Sequence, residues 1–436
     1  MSWRPIIVAA ICVPAFAAAS ACAAEAVSDP NAPRTLAEYL RLAALRNAGL
    51  KAAFEEWKAA LEEVPQAKAL PDPRFTYGYY ITEVETRVGP QRQRAGITQI
   101  FPWFGTLAAR TDVAAAAAKA AHKRYEAKKL RLFHEVKDGF YEYVYLAGAI
   151  QVARESLGLI KHFEEVARTK YITAEASHPD IIRAQMELAV LEDKLAALEE
   201  MRGPVVARLN AALNRSAGSL LPWPQGQPYR APTLGREQIL AMLKRQNPQL
   251  QAMDFDLESA QSRVALAKKK FYPDLGVGID WIDTGDAPVP GVRDSGKDPV
   301  ILMFSMNLPV WRKSYGAAEL QARARRRRLA HEKKELANSL VARAERILYD
   351  FEDSERKIRL YGGTLVPKAE ELLGASEAAY AAGTVDFLTL LDAQQTLLRF
   401  RLQDERALAD REQKLAELEM LAGTALSGTE ASASPD

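Results

Sequence analysis

The sequence is nearly without cysteine: its 436 residues include two, Cys12 and Cys22. Cys12 falls in an N-terminal leader expected to be removed, so one thiol remains and no intrachain disulfide can form. Beyond the leader no segment offers the roughly 18 consecutive apolar residues of a spanning helix, so a membrane-inserted form of this chain has to use β-strands. Charge of one sign is not in excess either. With 58 Lys and Arg against 56 Asp and Glu, no global field favours a nucleic-acid partner. The run Arg323 to Arg328 (RARRRR) lies in a helical pattern and reads as a solvated or lipid-headgroup-facing patch. The motifs of chemistry are also missing: there is no Walker loop, no dinucleotide-binding glycine fingerprint, no zinc spacing and no nucleophile elbow. The histidines, His122, His134, His162, His178 and His331, are scattered. No catalytic residue, cofactor or metal ligand is therefore assigned, and an enzyme is the class least expected.

The leader has Arg4, an apolar run from Ile6 to Ala19 and the small-residue string AAASACAAEA. Over residues 1–21 this is the pattern of a bacterial secretory signal peptide. Cys22 follows Ala19-Ser20-Ala21, small residues of the kind that precede a lipid-bearing cysteine, but the usual Leu three residues before it is absent. Lipid attachment at Cys22 and ordinary cleavage after Ala-x-Ala stand as alternatives. At the other end, residues 425–436 have the composition of a disordered tail.

What is present is said twice. Asn47, Leu50, Ala52, Ala60, Ala67 and Lys68 lead into PDPRFTYGYYI, and Asn247, Leu250, Ala252, Ala260, Ala267 and Lys268 lead, with the same spacing, into FYPDLGVGIDWI. Phe101-Pro102-Trp103 is echoed by Leu308-Pro309-Val310-Trp311, and Tyr171 with Ala184-Gln185 by Tyr380 with Ala393-Gln394. A period this long is not that of a solenoid, whose units run about 20–50 residues. It is one duplicated unit, with a first repeat over 22–215, a Pro/Gly-rich linker over 216–235 and a second repeat over 236–424.

Each unit reads as helix, β-hairpin, long helix, turn and return helix. A helix over Thr35–Val64 is followed by a break or kink at Pro65. Strands are expected at about 74–84 and 94–101, then at about 272–282 and 301–308. In the second hairpin Leu275, Val277, Ile279 and Trp281 alternate with Gly276, Gly278 and Asp280. Strands of this length cross a bilayer when tilted in a barrel. Were they to do so, Leu275, Val277, Ile279 and Trp281 would face lipid. Soluble hairpins lying on a helical core are the alternative. Long helices are expected over about 106–173 and 314–381, carrying heptad-spaced seams such as Val136, Tyr143, Ile150 and Leu157. Gly362-Gly363 and Pro367 predict a kink in the second. Return helices are expected over about Asp180–Asn214 and Asp386–Leu421. A 68-residue helix is about 100 Å long, nearly the sum of an approach and a return helix. Those two can stack end to end beside it, with strands at one end of the shaft and the helical turns at the other.

These residues resemble the TolC family of outer-membrane efflux proteins. The resemblance rests on the two AK…PD strand approaches, on FPWFG and LPVWR after the hairpins, and on LVPKAEELLGASEAAYAAGTVDFLTLLDAQQTLL. The first turn departs from the pattern: it has no glycine, and AEASHPD is longer. The resemblance implies a homotrimer, with four strands per chain in a 12-stranded outer-membrane β-barrel continued by a periplasmic α-helical coiled-coil tunnel. It implies a passive channel subunit that receives substrate from an inner-membrane pump through a periplasmic adaptor. Three return helices would converge at the tip, so one inward carboxylate per chain gives a ring of charge. Asp386, Asp392 and Asp180 are the gate candidates, with an N-cap the alternative for Asp386 and a solvated helix face for Asp392. Gly383, Thr384 and Val385 are the expected adaptor-docking surface. The competing reading is a non-channel periplasmic coiled-coil adaptor or lipid-anchored scaffold.

Overall fold

A computed structural model describes residues 32–174, 176–225 and 235–426. The leader with Cys22, the middle of the linker and the tail lie outside the described residues. The chain is mainly helical with a small antiparallel sheet, and its elements repeat. The first unit runs α1 (Leu36–Arg46), α2 (Ala48–Lys68), β1 (Arg74–Val84), β2 (Gln91–Phe101), α3 (Thr106–Ile172), α4 (His178–Glu200) and α5 (Arg202–Ala212). The second runs α6 (Arg236–Gln246), α7 (Pro248–Lys269), β3 (Leu275–Thr284), β4 (Val300–Met306), α8 (Arg312–Leu360), a π turn (Tyr361–Leu365), α9 (Val366–Ala381) and α10 (Phe387–Ala422).

The approach helix differs from the expectation of one piece. Asn47 leaves helical geometry at φ −59°, ψ 121°, ending α1, and its side-chain oxygen accepts from the Leu50 amide at 2.9 Å to open α2. Pro65, in contrast, does not end α2. Its ring lies on an exposed face, where a carbonyl left without an N–H partner can bond to water, and the helix continues to Lys68. The first return helix is also split, at Met201, because Pro204 has no N–H to give to Glu200 four residues before it. In the second long helix the expected kink is a π turn, with Pro367 in the first turn of α9.

The end-to-end stacking is present, and the two asparagines make it. Asn47 Nδ2 donates to Ala212 O at 2.9 Å, joining the last turn of α5 to the first of α2. Asn247 Nδ2 donates to Leu421 O at 2.9 Å while its oxygen accepts from the Gln249 and Leu250 amides at 2.9 and 3.2 Å, joining α10 to α7. Gly423 follows in the left-handed region at φ 81°, and a Cβ there would lie 2.6 Å from Gln246 O. Each composite column lies against α3, which packs on α2 and α4 in one repeat and on α7 and α10 in the other. At about 1.5 Å per residue the 67 residues of α3 reach about 100 Å.

With α1 and α6 freed from the columns, each packs across the middle of the shaft and builds a core. Leu36, Tyr39 and Leu40 meet Val136, Phe140 and Leu209. Ile239 and Leu243 meet Ile347, Leu348 and Leu418. The first stretch of the linker is bound here as well: Tyr143 donates to Leu221 O at 3.0 Å and stacks on Trp223 at 4.8 Å.

Asn47→Ala and Asn247→Ala each remove an N-cap and leave a carbonyl at the column joint without its donor. Each should cost about 1–2 kcal/mol, read as a lowered unfolding midpoint of the purified protein. Asn247→Asp, which keeps the cap oxygen and loses the donor, should fall between wild type and Asn247→Ala.

Candidate functional site: a two-faced sheet and a hairpin tip

The strands form one antiparallel sheet in the order β1-β2-β3-β4. Directly opposed residues share a face, so the pairing writes out both sides. Phe75, Ile97, Ile279 and Leu302 form one row across the four strands, and Tyr77, Ala95, Trp281 and Val300 the next. Val277 with Phe304, and Leu275 with Met306, extend this side, on which Gln99 opposes Val277 and Gln93 opposes Tyr79. Its side chains point away from the rest of the protomer, with Phe75 71% and Phe304 75% exposed. The other side carries Thr76, Gly96 and Asp280 in one row and Gly78 and Arg94 in another. Asp280 is only 3% exposed, and Arg94 Nε donates to its Oδ2 at 2.9 Å. The glycines there make room: a Cβ on Gly96 would lie 1.9 Å from Asp280 Oδ1.

One side is thus mainly apolar and solvent-facing, and the other holds an ion pair. This is the reverse of a soluble sheet on a helical core, which hides its apolar side. Where strands meet helices the chain is aromatic. Trp103 stacks on Tyr272 at 5.1 Å, Phe271 contacts Tyr315 at 5.9 Å, and Trp311 is exposed. Farther down α8 the arginine run is partly paired within its helix, Arg323 with Glu319 and Arg328 with Glu332, both at 2.6 Å.

At the other end of the shaft, α9 closes on a Schellman turn. The Thr384 amide donates to Ala379 O at 2.9 Å, the Gly383 amide to Tyr380 O at 3.1 Å, and Gly383 is left-handed at φ 73°. In the first tip the corresponding left-handed residue is Ala174, at φ 59°. The left-handed residue and its amide bond, Ala174 N–H to Tyr171 O at 3.1 Å, are kept without the glycine, at the cost of a Cβ in a region alanine avoids. The next described bond runs one residue wider, from the Ala176 amide to Lys170 O at 3.2 Å. Lys170 ties the two tips together: its ammonium donates to Tyr380 O at 2.7 Å and Ala381 O at 3.0 Å, at the negative end of α9, and sits 4.9 Å above the Tyr380 ring. Behind it Phe163, Ile181, Leu373, Tyr380, Phe387 and Leu390 share one core.

The three carboxylates differ in their occupation. Asp386 is the N-cap of α10, accepting from Thr389 Oγ1 at 2.6 Å and the Thr389 amide at 2.9 Å. Those bonds, the hydroxyl's first, hold it below the usual carboxylate range. Asp180 lies inside α4, in a capping box with Ser177, whose hydroxyl donates to it at 2.7 Å. Asp392 is exposed and has no hydrogen bond or ion pair among the described residues. Gly383 and Thr384 are exposed and Val385 is half-buried. Sequence reasoning missed Lys170 and Arg94. A lysine before a turn has no signature that separates a cap from a solvated side chain, and the partner of Arg94 lies 186 residues away.

No described helix is long and apolar enough to cross a membrane. The fold recurs in solved outer-membrane channels. VceC from Vibrio cholerae aligns with a TM-score of 0.74 at 16% identity, over 90% of this chain and 96% of that one. The open state of the Neisseria gonorrhoeae MtrE outer membrane channel aligns with a TM-score of 0.72 at 18% identity, over 90% and 89%. In sequence, the cobalt-zinc-cadmium resistance protein CzcC of Cupriavidus metallidurans is 22% identical over 380 residues, 85% of each chain. The family described as outer membrane efflux protein matches residues 39–215 and 239–424, which sets aside the adaptor and scaffold readings. Both repeats carry the match, and the chain belongs to the outer membrane efflux protein family.

Proposed function

We propose that the chain is one third of a passive export duct. As a family member it is an outer-membrane channel subunit of a tripartite efflux system, extending into the periplasm. The observation that carries the duct reading is the sheet: apolar outside, ion-paired inside, and open at both edges. Unpaired edges are not tolerated in lipid, so β1 must pair with β4 of another copy, and closure needs several copies. Three copies give twelve strands. The apolar side, with Leu275, Val277, Ile279 and Trp281, then meets lipid, and Arg94 and Asp280 meet the lumen. Trp103, Tyr272 and Trp311 suit the periplasmic membrane surface. The shaft crosses the periplasm, and the tip of Gly383, Thr384 and Val385 meets the adaptor that brings substrate from an inner-membrane pump.

At the tip, Asp392 is the better gate candidate. Its carboxylate is not engaged, whereas Asp386 and Asp180 serve helix starts. Three Asp392 side chains in a narrow mouth would favour cations.

Three outcomes check this reading. Val277→Arg should cost about 2–4 kcal/mol of membrane stability near midplane, while Thr76→Arg, on the opposite side, should be tolerated in trimer insertion. Gly278 is not the neutral control that its small size suggests, because a Cβ there would lie 2.7 Å from Thr98 Oγ1. Equal loss of insertion from Val277→Arg and Thr76→Arg would reverse the assignment of faces.

In planar bilayers Asp392→Asn should weaken cation selectivity and block by divalent ions from the tip side. Asp386→Asn should do so less, since that carboxylate is already engaged by Thr389, and Asn keeps the cap. Folded trimers with both properties unchanged in both variants would remove these residues from the gate.

Gly383→Ala should destabilise the second turn by about 1 kcal/mol, and Ala174→Gly should stabilise the first by about 0.5–1 kcal/mol. Hydrogen exchange of the amides at each turn reads both. No change at either would mean that the left-handed residues do not limit the tips.

A further inference from the structure

The second long helix holds one residue more than the first. Trp103 and Tyr171 stand 68 positions apart, and Trp311 and Tyr380 stand 69 apart. Buried positions show where the extra residue enters. Leu132, Phe140 and Tyr143 correspond to Leu340, Leu348 and Phe351 at a constant offset of 208. Nearer the tip, Ile160 and Ala167 correspond to Ala369 and Ser376 at an offset of 209. The π turn Tyr361–Leu365 lies between the two sets. A single π turn absorbs one inserted residue and leaves the helix on either side in register.

This wide turn is held from one side. A Cβ on Gly362 would lie 2.7 Å from Asp404 Oδ1 and 3.1 Å from its Cγ, so the carboxyl of α10 fills the place of a side chain. Tyr361 contacts Phe400 at 5.9 Å. Asp404 Oδ1 is buried and completes no hydrogen bond of good geometry among the described residues. Burial pushes this carboxyl up, and the nearby Gly362 amide opposes that in part. Gly363, next in the turn, has open space around it.

Side-chain pairs join α10 to α3 on both sides of the turn. Toward the middle of the shaft α10 is pinned to α3: Arg406 binds Glu142 at 2.8 Å and lies 4.3 Å over the Tyr145 ring, and Gln413 donates to Asp138 O at 3.1 Å. Toward the tip Arg401 reaches Glu155 at 3.0 Å and Glu370 at 2.6 Å. A helix with an interrupted ladder, two glycines and a proline bends most easily at that point.

We propose that the π turn is the pivot of the α9–α10 hairpin and that Asp404, seated against Gly362, is the positioning residue that fixes where the helix bends. The proposal rests on the duct reading, in which this hairpin carries the gate. It explains why the inserted residue is confined to one turn instead of shifting the tip.

Removing the inserted residue tests it. Deletion of Gly363 restores the spacing of the first repeat, so the helix should become continuous and the chain should still form trimers with an unfolding midpoint no lower than wild type. Tip movement is read by pulsed electron paramagnetic resonance between copies, with a nitroxide on Ala382→Cys in a Cys22→Ser background. Wild type should give two distance populations, and the deletion should lose one of them. Gly362→Ala should also change the distribution, and adding Asp404→Ala, which removes the colliding group, should restore it. A single population in wild-type trimers, or both populations kept in the deletion, would overturn the pivot. Additive effects of Gly362→Ala and Asp404→Ala would overturn the role of Asp404. A deletion that fails to fold would overturn the premise that the π turn absorbs a residue the helix register does not need, and the proposal with it. Absence of wild-type trimers is a separate result, and would count against the duct reading itself.

Discussion

The architecture depends on a joint between helices. A column as long as α3 is assembled from two pieces, because the approach helix (α2 or α7) and the end of the return helix (α5 or α10) are separated in the chain by two strands and a long helix and meet only end to end. At the joint a C-terminal end with orphan carbonyls meets an N-terminal end with orphan amides. A single asparagine satisfies both, its oxygen taking amides and its nitrogen serving a carbonyl. An aspartate has no donor and a lysine has no acceptor. Because the same residue stands at the joint in both repeats, the two columns have the same construction, and α3 and the α8–α9 helix can run beside them from sheet to tip.

The two ends of the shaft follow from that length. At one end the sheet turns its apolar side outward, which is stable only where lipid replaces water. At the other, the turns close with left-handed residues and with Lys170 capping a neighbouring helix, a polar solution suited to water. The chain is therefore divided by solvent along its axis, and the charged stretches of α3, α8 and α10 lie in the aqueous part. The one-residue difference between the long helices is absorbed between these ends, so Tyr171 and Tyr380 keep equivalent places before the two turns.

Much of this was legible in the sequence because duplication makes each signal appear twice. The strand alternation of Leu275 to Trp281, the seam through Val136 and Tyr143, and the Asn47 and Asn247 landmarks could all be checked against a copy. What escaped was local geometry that a pattern does not encode. Asn47 looked like part of one helix because Leu45, Arg46 and Ala48 beside it are helix formers, and its role depends on Ala212, far along the chain. Gly362, Gly363 and Pro367 announced a defect, but a π turn and a kink have the same composition. Ala174 gave no sign of a left-handed residue, since alanine is chosen there against its own preference. Among the carboxylates the pattern could not separate a cap from an unengaged group. The hydrogen bonds of Asp386 and Asp180 make that distinction and leave Asp392.

The central claim is that this chain closes a barrel in the outer membrane with copies of itself. Its most direct test is electrophoresis of the outer-membrane fraction with and without heating. The account predicts a band at the mass of a trimer in unheated samples that collapses to the monomer on boiling. A monomer recovered from the soluble periplasmic fraction, heated or not, would contradict it.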